Sequence, residues 1–198
     1  MLARPSRASG VTLIELVIGM AIFAGLLALA SPSMTSWMQN GQIRVAAMGI
    51  QNGLQLARIT AVQRNTVVSF FLLSSLSNSC VTSTAGPNWV VSLNDPTGQC
   101  AAAPDESLAP RIVQVRSGSE GSGNAVLAAD QSGISFNGLG RLVSAGAASR
   151  VAIDISNTAG GSCVASGGSV RCLRVWVSAA GQVRLCDPGA AQSDVRAC

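Results

Sequence analysis

A single carboxylate stands inside an otherwise apolar segment near the N-terminus. Glu15 lies in the run from Val11 to Ala30, where Thr12 is the only other polar side chain. A charged side chain inside a bilayer costs about 2.5 to 3.5 kcal/mol on insertion scales. Cleavage after Gly10 would create a cation to offset that cost, because the new α-amino group is positively charged. We therefore predict that Glu15 pairs with this amino group on a neighbouring helix, which is a role in assembly.

Six cysteines form the second group of reactive side chains. The chain has no C-x-x-C pair and no histidine, so zinc and redox motifs are missing. An even number of cysteines in this setting favours disulfides, which persist in the periplasm or outside the cell. The alternative is six buried thiols in a cytosolic protein. Fifteen pairings are possible, and we predict the one that closes short loops between or after strands: Cys80–Cys100, Cys163–Cys172 and Cys186–Cys198.

Positive charge is concentrated in the C-terminal tail. All 13 basic residues of the chain are arginines, whose planar guanidinium groups suit phosphate binding. Against only Asp187 and Asp194, the tail holds four of them: Arg171, Arg174, Arg184 and Arg196. These residues could contact the phosphates of DNA weakly and without reading its bases. The alternative is a solvated, slightly basic surface.

No catalytic or metal-binding constellation stands out in the sequence. The absence of Lys and His removes the commonest general base and the commonest metal ligand. Asp105 and Glu106 lie in a proline-flanked, alanine-rich stretch typical of a solvated turn. The segment Gly118–Gly123 lacks the Lys and the strand–helix context of a phosphate-binding loop. We expect no enzymatic activity, no cofactor and no metal.

The N-terminal segment predicts a membrane anchor and its orientation. Met1–Gly10 is short and polar, and twenty apolar residues follow, which just span a bilayer as a helix. Arg4 and Arg7 precede the span and keep the N-terminus in the cytoplasm, so the rest of the chain is exported. Removal of this leader leaves 11 arginines against 9 acidic residues and lowers the formal charge from +4 to +2. The alternative is an ordinary signal peptide cut after Ala28-Leu29-Ala30.

Periodicity predicts that the helix continues beyond the membrane. Apolar residues recur at intervals of four and three and define one face: Ile43, Ala47, Ile50, Leu54, Ala57 and Ala61. This stripe needs a sheet to cover it, and a coiled coil is the alternative. After residue 64, β-branched runs indicate short strands: 66–73, 89–93, 111–116, 134–136, 151–155, 173–178 and 182–186. The glycine- and serine-rich segment 117–124 is expected to be a loop.

The expected fold is therefore α+β, with one long helix packed on an antiparallel, β-rich head. The predicted parts are a leader (1–10), a transmembrane helix segment (11–30), a periplasmic helix segment (31–64) and the head (65–198). A hairpin turn at Ala179-Ala180-Gly181 would place Arg174 and Arg184 on either side of it. If Cys186 pairs with Cys198, Arg196 would join them, so three guanidinium groups are expected on one patch.

The run Gly10-Val11-Thr12-Leu13-Ile14-Glu15-Leu16 resembles the class III signal of type IV prepilins and of type II secretion pseudopilins. The resemblance implies cleavage after Gly10 by a prepilin peptidase and methylation of the new N-terminus at Val11. It also implies residence in inner-membrane lipid before assembly with other pilins or pseudopilins. Val11 departs from the usual Phe at this position.

Two further segments resemble the FimT/FimU/GspH branch of this superfamily: Gln55–Val62 with its following strand, and Phe136-Asn137-Gly138-Leu139-Gly140-Arg141. The tail is most similar to minor pilins of the FimT/FimU type, which implies a type IV pilus subunit with its head at or near the tip. A GspH-type minor pseudopilin acting in protein secretion is the alternative. FimT-type pilins bind DNA through a Gly-Arg-x-Arg motif, which here is Gly181-Gln182-Val183-Arg184, without the first Arg.

Overall fold

One long helix and two antiparallel sheets make up the fold. The computed structural model describes residues 10–143 and 150–198, and for residues 28–35 and Thr158 it describes the backbone only. The chain divides into two compact units, with the boundary between Thr35 and Ser36. Helix α1 (Leu13–Arg64) begins in the first unit and ends in the second. Across residues 10–27 and 36–64, no helical stretch is long and apolar enough to cross a membrane.

The described strands all follow the helix. They are β1 (Val68–Leu73), β2 (Asn88–Ser92), β3 (Ile112–Arg116), β4 (Val126–Ala129), β5 (Gly133–Phe136), β6 (Leu142–Val143), β7 (Arg150–Ser156), β8 (Leu173–Ser178) and β9 (Val183–Cys186), with short 3₁₀ helices at Thr158–Gly160 and Val164–Ser166. The seven predicted strands are present, each within two residues of its expected bounds. Strands β4 and β6 were missed, because the first is half alanine and the second has only two residues.

The strands form two sheets. The first has the order β3-β2-β1-β5-β6 and the second the order β4-β7-β8-β9. Every described pairing between named strands is antiparallel. The two sheets meet where the Leu142 N–H donates to the carbonyl of Ala179, at a distance of 3.2 Å. The α+β fold class predicted from the sequence is confirmed.

The predicted apolar stripe of α1 forms the centre of the core. All six of its residues are at most 2% exposed. They pack against the inward side chains of both sheets, among them Phe70 and Phe136 of the first and Ile153 and Val175 of the second. Alanines in the stripe occupy little space and so leave room for the larger side chains of the sheets. The stripe is thus covered by strands, and the coiled-coil alternative is wrong for this face.

The helix ends in a left-handed turn rather than by fraying. Asn65 has a φ of 48°, a conformation that Asn adopts more readily than most residues. The Thr66 N–H donates to the Ala61 carbonyl and the Asn65 N–H to the Val62 carbonyl. These two bonds are those of a Schellman motif, which satisfies the last carbonyls of the helix. The chain is thereby turned directly into β1.

A second, smaller cluster covers the opposite face of the first sheet. Leu73, Val90 and Ile112 are buried there with the disulfide Cys80–Cys100. Successive residues of a strand point to opposite faces, so β1 supplies Phe70 and Leu72 to one cluster and Leu73 to the other. The first sheet is therefore covered on both sides, by α1 and by a disulfide-linked loop.

Gly53 is the point where the aromatic residues of the first sheet meet the helix. The Phe70 and Trp89 rings are 5.3 Å apart between centroids and are buried. A Cβ on Gly53 would lie 2.8 Å from Phe70 and 2.9 Å from Trp89, closer than carbon atoms pack. The absent side chain therefore makes room for the aromatic pair.

We predict that Gly53→Ala destabilises the protein although Ala is the better helix former. Overpacking costs about 1–3 kcal/mol, and the gain in helix propensity is about 1 kcal/mol. Gly49→Ala is the matched control, because its added Cβ would make only ordinary contact with Arg116, at 3.7 Å. Thermal unfolding should show a lower Tm for Gly53→Ala and an equal or higher Tm for Gly49→Ala. Equal shifts in the two variants would contradict the packing assigned to Gly53.

Candidate functional site

The N-terminus of α1 carries Glu15 in a local motif that the sequence reading missed. Thr12 precedes the first helical residue, and its hydroxyl oxygen accepts the Glu15 N–H at 3.4 Å. The same hydroxyl lies 3.5 Å from the Glu15 carboxylate. Thr followed three residues later by Glu is the pattern of a capping box. Here the Thr12 side chain satisfies the Glu15 N–H, and the carboxylate returns to the Thr12 hydroxyl. The Thr-x-x-Glu spacing in the sequence could have revealed it.

Glu15 therefore has a partner within its own chain. Thr12 offers only a neutral hydroxyl, so the pairing of Glu15 with an amino group of a neighbouring helix stays a prediction. Glu15 remains exposed, as do Gly10 and Val11 at the predicted cleavage point. Large apolar side chains around it are also exposed, including Leu13 at 84%, Met20 at 66% and Phe23 at 63%. The first unit thus presents one carboxylate on an apolar helix surface.

The six cysteines form three disulfides in the pairs predicted from the sequence. The Cα–Cα distances are 6.2 Å for Cys80–Cys100, 5.4 Å for Cys163–Cys172 and 5.1 Å for Cys186–Cys198. The last bond ties the C-terminus to the end of β9. Next to it, the Asp187 N–H donates to the Arg196 carbonyl at 2.7 Å. The arginine-bearing tail is therefore held against the second sheet.

Strands β8 and β9 form the predicted hairpin. Gly181 has a φ of 81°, and its N–H donates to the Ser178 carbonyl at 2.8 Å. A Cβ at this position would collide with the carbonyl oxygen of Gly140, which also accepts the Nε–H of Arg58 at 3.1 Å. Arg58 and Gly140 belong to the two segments that resemble the FimT/FimU/GspH branch, so these segments contact each other here. The contact stabilises the fold of the head.

Arg174 is bound by a carboxylate of the neighbouring strand. Asp154 lies opposite it in the β7–β8 register, and its two carboxylate oxygens accept from Nε of Arg174 at 2.6 Å and from Nη2 at 2.9 Å. This bidentate contact raises the pKa of Arg174. The sequence reading overlooked Asp154 because it is distant in sequence and becomes a neighbour only through strand pairing.

The other three tail arginines also have partners inside the protein. Arg171 lies 3.0 Å from the carboxylate of Asp187, whose side chain is only 8% exposed. Arg196 lies 2.6 Å from Asp194. Arg184 instead donates to the Val195 carbonyl at 3.1 Å and has no carboxylate partner within the described residues. Carboxylates thus neutralise three of the four predicted phosphate-contacting residues.

The tail arginines are found at two places on the second sheet. Arg171 and Arg196 line a cleft beside α1. Arg174 and Arg184 share the outer face of the sheet, with Trp176 opposite Arg184 in the register. Strand alternation fixes this shared face. The position of Arg196 depends on the folded tail, which Arg184 contacts at Val195, so a patch of three guanidinium groups stays a prediction.

The described parts of the chain contain no evident metal site. Within them, no group of three or more His, Cys, Asp or Glu side chains is arranged to hold a metal ion. Asp105 and Glu106 do not act as a pair: Asp105 accepts hydrogen bonds from Ser107, and Glu106 pairs with Arg64. The Ser107 contacts lower the pKa of Asp105.

We predict that the carboxyl group of Asp194 titrates at about pH 2. Hydrogen bonds from Arg196, through side chain and backbone, lower the pKa of Asp194 from 3.8 to about 2. Because the folded pKa is depressed, the contact contributes stability above the unfolded value and loses it as pH falls through about 2. Carbon NMR of the Asp194 carboxyl group should give this midpoint. Arg196→Ala should move the midpoint towards 3.8, and an unchanged midpoint would contradict the contact.

Comparison with known proteins agrees with this architecture. The family model for type II transport protein GspH matches residues 46–181, and the model for the prokaryotic N-terminal methylation motif matches residues 5–31. No curated protein sequence gives a significant match. Two crystal structures of the type IV minor pilin FimU from Pseudomonas aeruginosa share the fold at 16% sequence identity. They cover 76% and 80% of this chain and 98% of their own, with TM-scores of 0.50 and 0.52. The chain belongs to the GspH family of type IV pilin-like proteins, a family of structural subunits with an N-terminal methylation motif.

Proposed function

We propose that this protein is a minor pilin, made as a prepilin with leader 1–10 and anchored in the inner membrane by residues 11–30. Its N-terminus lies in the cytoplasm and its head in the periplasm. Cleavage after Gly10 and methylation of Val11 precede assembly into a type IV pilus. The observation that carries the proposal is the start of α1, where Glu15 is exposed among exposed apolar side chains. The methylation motif at residues 5–31 supports processing as a prepilin over removal of a signal peptide.

Assembly requires a partner for the charge on Glu15. Within the described residues no cation contacts its carboxylate, and Thr12 supplies only a neutral hydroxyl. When α1 packs among other helices, water leaves this surface and the electrostatic attraction between opposite charges grows. The α-amino group of Val11 on an adjacent subunit is a cation, and it lies near the same level along the helix as Glu15. Neutralisation by this group offsets the cost of burying the carboxylate.

The choice between a pilus and a secretion system depends on the head. The solved structures that share the fold are of a pilus subunit and match over 98% of their length. The similarity of the tail to FimT/FimU minor pilins points the same way and favours a position at or near the tip. A GspH-type pseudopilin acting in type II secretion is the alternative, which the family description favours.

We predict that Glu15→Gln impairs filament incorporation without weakening the start of the helix. Gln can replace Glu in a capping box but carries no charge. Thr12→Ala is the matched control, because it removes the cap and keeps the carboxylate. Immunoblots of sheared filaments and of membrane fractions should show less Glu15→Gln in filaments at equal membrane levels. Incorporation should survive in Thr12→Ala; if only that variant loses it, Glu15 acts through capping and the assembly role is refuted.

DNA binding is a second candidate function, located on the outer face of the second sheet. Arg184 has no carboxylate partner in the described chain, and Arg174 lies on the same face. These two groups could contact phosphates, which gives weak, sequence-independent binding with a shallow salt dependence. Arg171 and Arg196 line the cleft beside α1 and are each paired with a carboxylate.

We predict that full-length protein in detergent binds random duplex DNA weakly at low salt and loses affinity in Arg184→Ala. Asp154→Asn should strengthen binding, since it releases Arg174 from its bidentate partner. Gln182→Arg should also strengthen it, by adding a cation to the hairpin. Arg111→Ala is the control for net charge, because Arg111 is exposed and precedes β3 at the far edge of the first sheet. Fluorescence anisotropy at two salt concentrations measures these affinities. Equal losses in Arg184→Ala and Arg111→Ala would rule out a specific surface.

A further inference from the structure

A cleft of about 610 Å³ opens between the helix and the second sheet, wholly within the second unit. One wall is α1, with Trp37, Gly41 and Arg44. The other is formed by Leu173, Leu185 and the tail residues Arg171 and Arg196. The Arg171 N–H donates to the side-chain oxygen of Asn40 at 2.9 Å, which ties the two walls together. The cleft is therefore a formed feature of the head.

The cleft has an apolar surface that the core does not use. Trp37 is 74% exposed, although a large aromatic ring gains free energy from burial. Leu173 and Leu185 are partly buried at the edge of the main core. A Cβ on Gly41 would meet nothing within 4 Å, so the helix wall is open at this point. An apolar side chain of a partner could insert between Trp37 and the two leucines.

The charge of the cleft is positive. Arg171 is neutralised by Asp187 and Arg196 by Asp194. Arg44 is exposed and has no ion pair or hydrogen bond to its side chain among the described residues. One cation is therefore in surplus, and it lies beside the apolar surface. A carboxylate is the complementary group.

The backbone next to the cleft can accept an extended chain. Strand β9 is at the edge of the second sheet. The Ser178 N–H donates to the Gln182 carbonyl, which makes this a hydrogen-bonded pair of the antiparallel ladder. Alternation along the register then turns the backbone groups of Val183 and Leu185 away from β8. The tail pairs with this edge directly after β9, at Asp187. In the described part of the chain, no strand pairs with the edge at Val183 and Leu185. Such an edge can pair with a strand from a partner.

We infer that this cleft binds an extended, acidic segment of another filament subunit. The segment pairs with β9 at Leu185, inserts an apolar side chain against Trp37, and places a carboxylate at Arg44. The inference rests on the proposed function for the identity of the partner as a subunit. The chemistry of the ligand rests on the cleft alone.

The test titrates full-length protein in detergent with a synthetic heptapeptide of alternating Glu and Val. Peptides with Lys or Gln in place of Glu are the comparisons. NMR of the Trp37 indole N–H should show saturable binding of the Glu peptide, and about tenfold weaker binding of the Lys peptide. Arg44→Glu should reverse this preference, whereas Arg141→Glu should preserve it. Equal binding of the Glu and Lys peptides would overturn the inference.

Two substitutions of Gly41 distinguish a blocked cleft from a misfolded protein. Gly41→Trp fills the cleft and Gly41→Ala leaves it open, and both replace Gly by a better helix former. We expect loss of peptide binding in the first and retention in the second, at equal or higher Tm. Unchanged binding in Gly41→Trp would refute the cleft as the site.

A second copy of this chain is the competing occupant, since its acidic loop at Asp105 and Glu106 ends in the exposed Leu108. If dilution without peptide shifts the Trp37 signal, and Leu108→Asp abolishes that shift, self-association occupies the cleft and the inference is wrong. The titration requires no filament. If the Glu peptide does not bind but assembly still depends on Glu15, the cleft is not a binding site and the proposed function is unaffected.

Discussion

The contact between the apolar stripe of α1 and the two sheets is the constraint on which the rest of the structure depends. The inward side chains of both sheets form one cluster with the helix stripe. Small residues in the stripe, such as Ala47 and Ala57, leave room for the larger side chains of the strands. Because the stripe begins at Ile43, after the first unit has ended at Thr35, the same helix can be core in one unit and expose apolar side chains in the other.

The tail illustrates how internal pairing limits function. A count of arginines alone indicates a basic surface, but carboxylates within the protein bind three of the four. Arg174 and Asp154 are opposite each other in adjacent strands, so their contact follows from the register of β7 and β8. Among the arginines of the outer sheet face and of the cleft, the charge left for a partner is therefore on Arg184 and on Arg44 respectively. Each surface has its own neighbouring apolar or aromatic group, Trp176 on one and Trp37 on the other.

Local patterns predicted much of this fold. The stripe from Ile43 to Ala61, the longer strands and the nearest-neighbour disulfides depend on short-range periodicity or spacing, and the structure contains them. Strand β6 depends on pairing with β5 over two residues, which no local propensity reveals. The Arg174–Asp154 pair, the junction at Gly140 and Gly181, and the cleft at Trp37 arise from residues far apart in sequence. They require the register of the sheets, which hydrophobic periodicity alone does not determine.

The central claim is that the apolar start of α1 is retained in the mature protein and serves assembly. Intact mass and N-terminal sequencing of protein extracted from membranes test it most directly. We predict a mature chain that begins at N-methylated Val11 and keeps Glu15 within the first turn of α1. A mature chain that begins at Ser31 would contradict it, because the helix would then have lost its apolar start and the protein would be a secreted β-rich head.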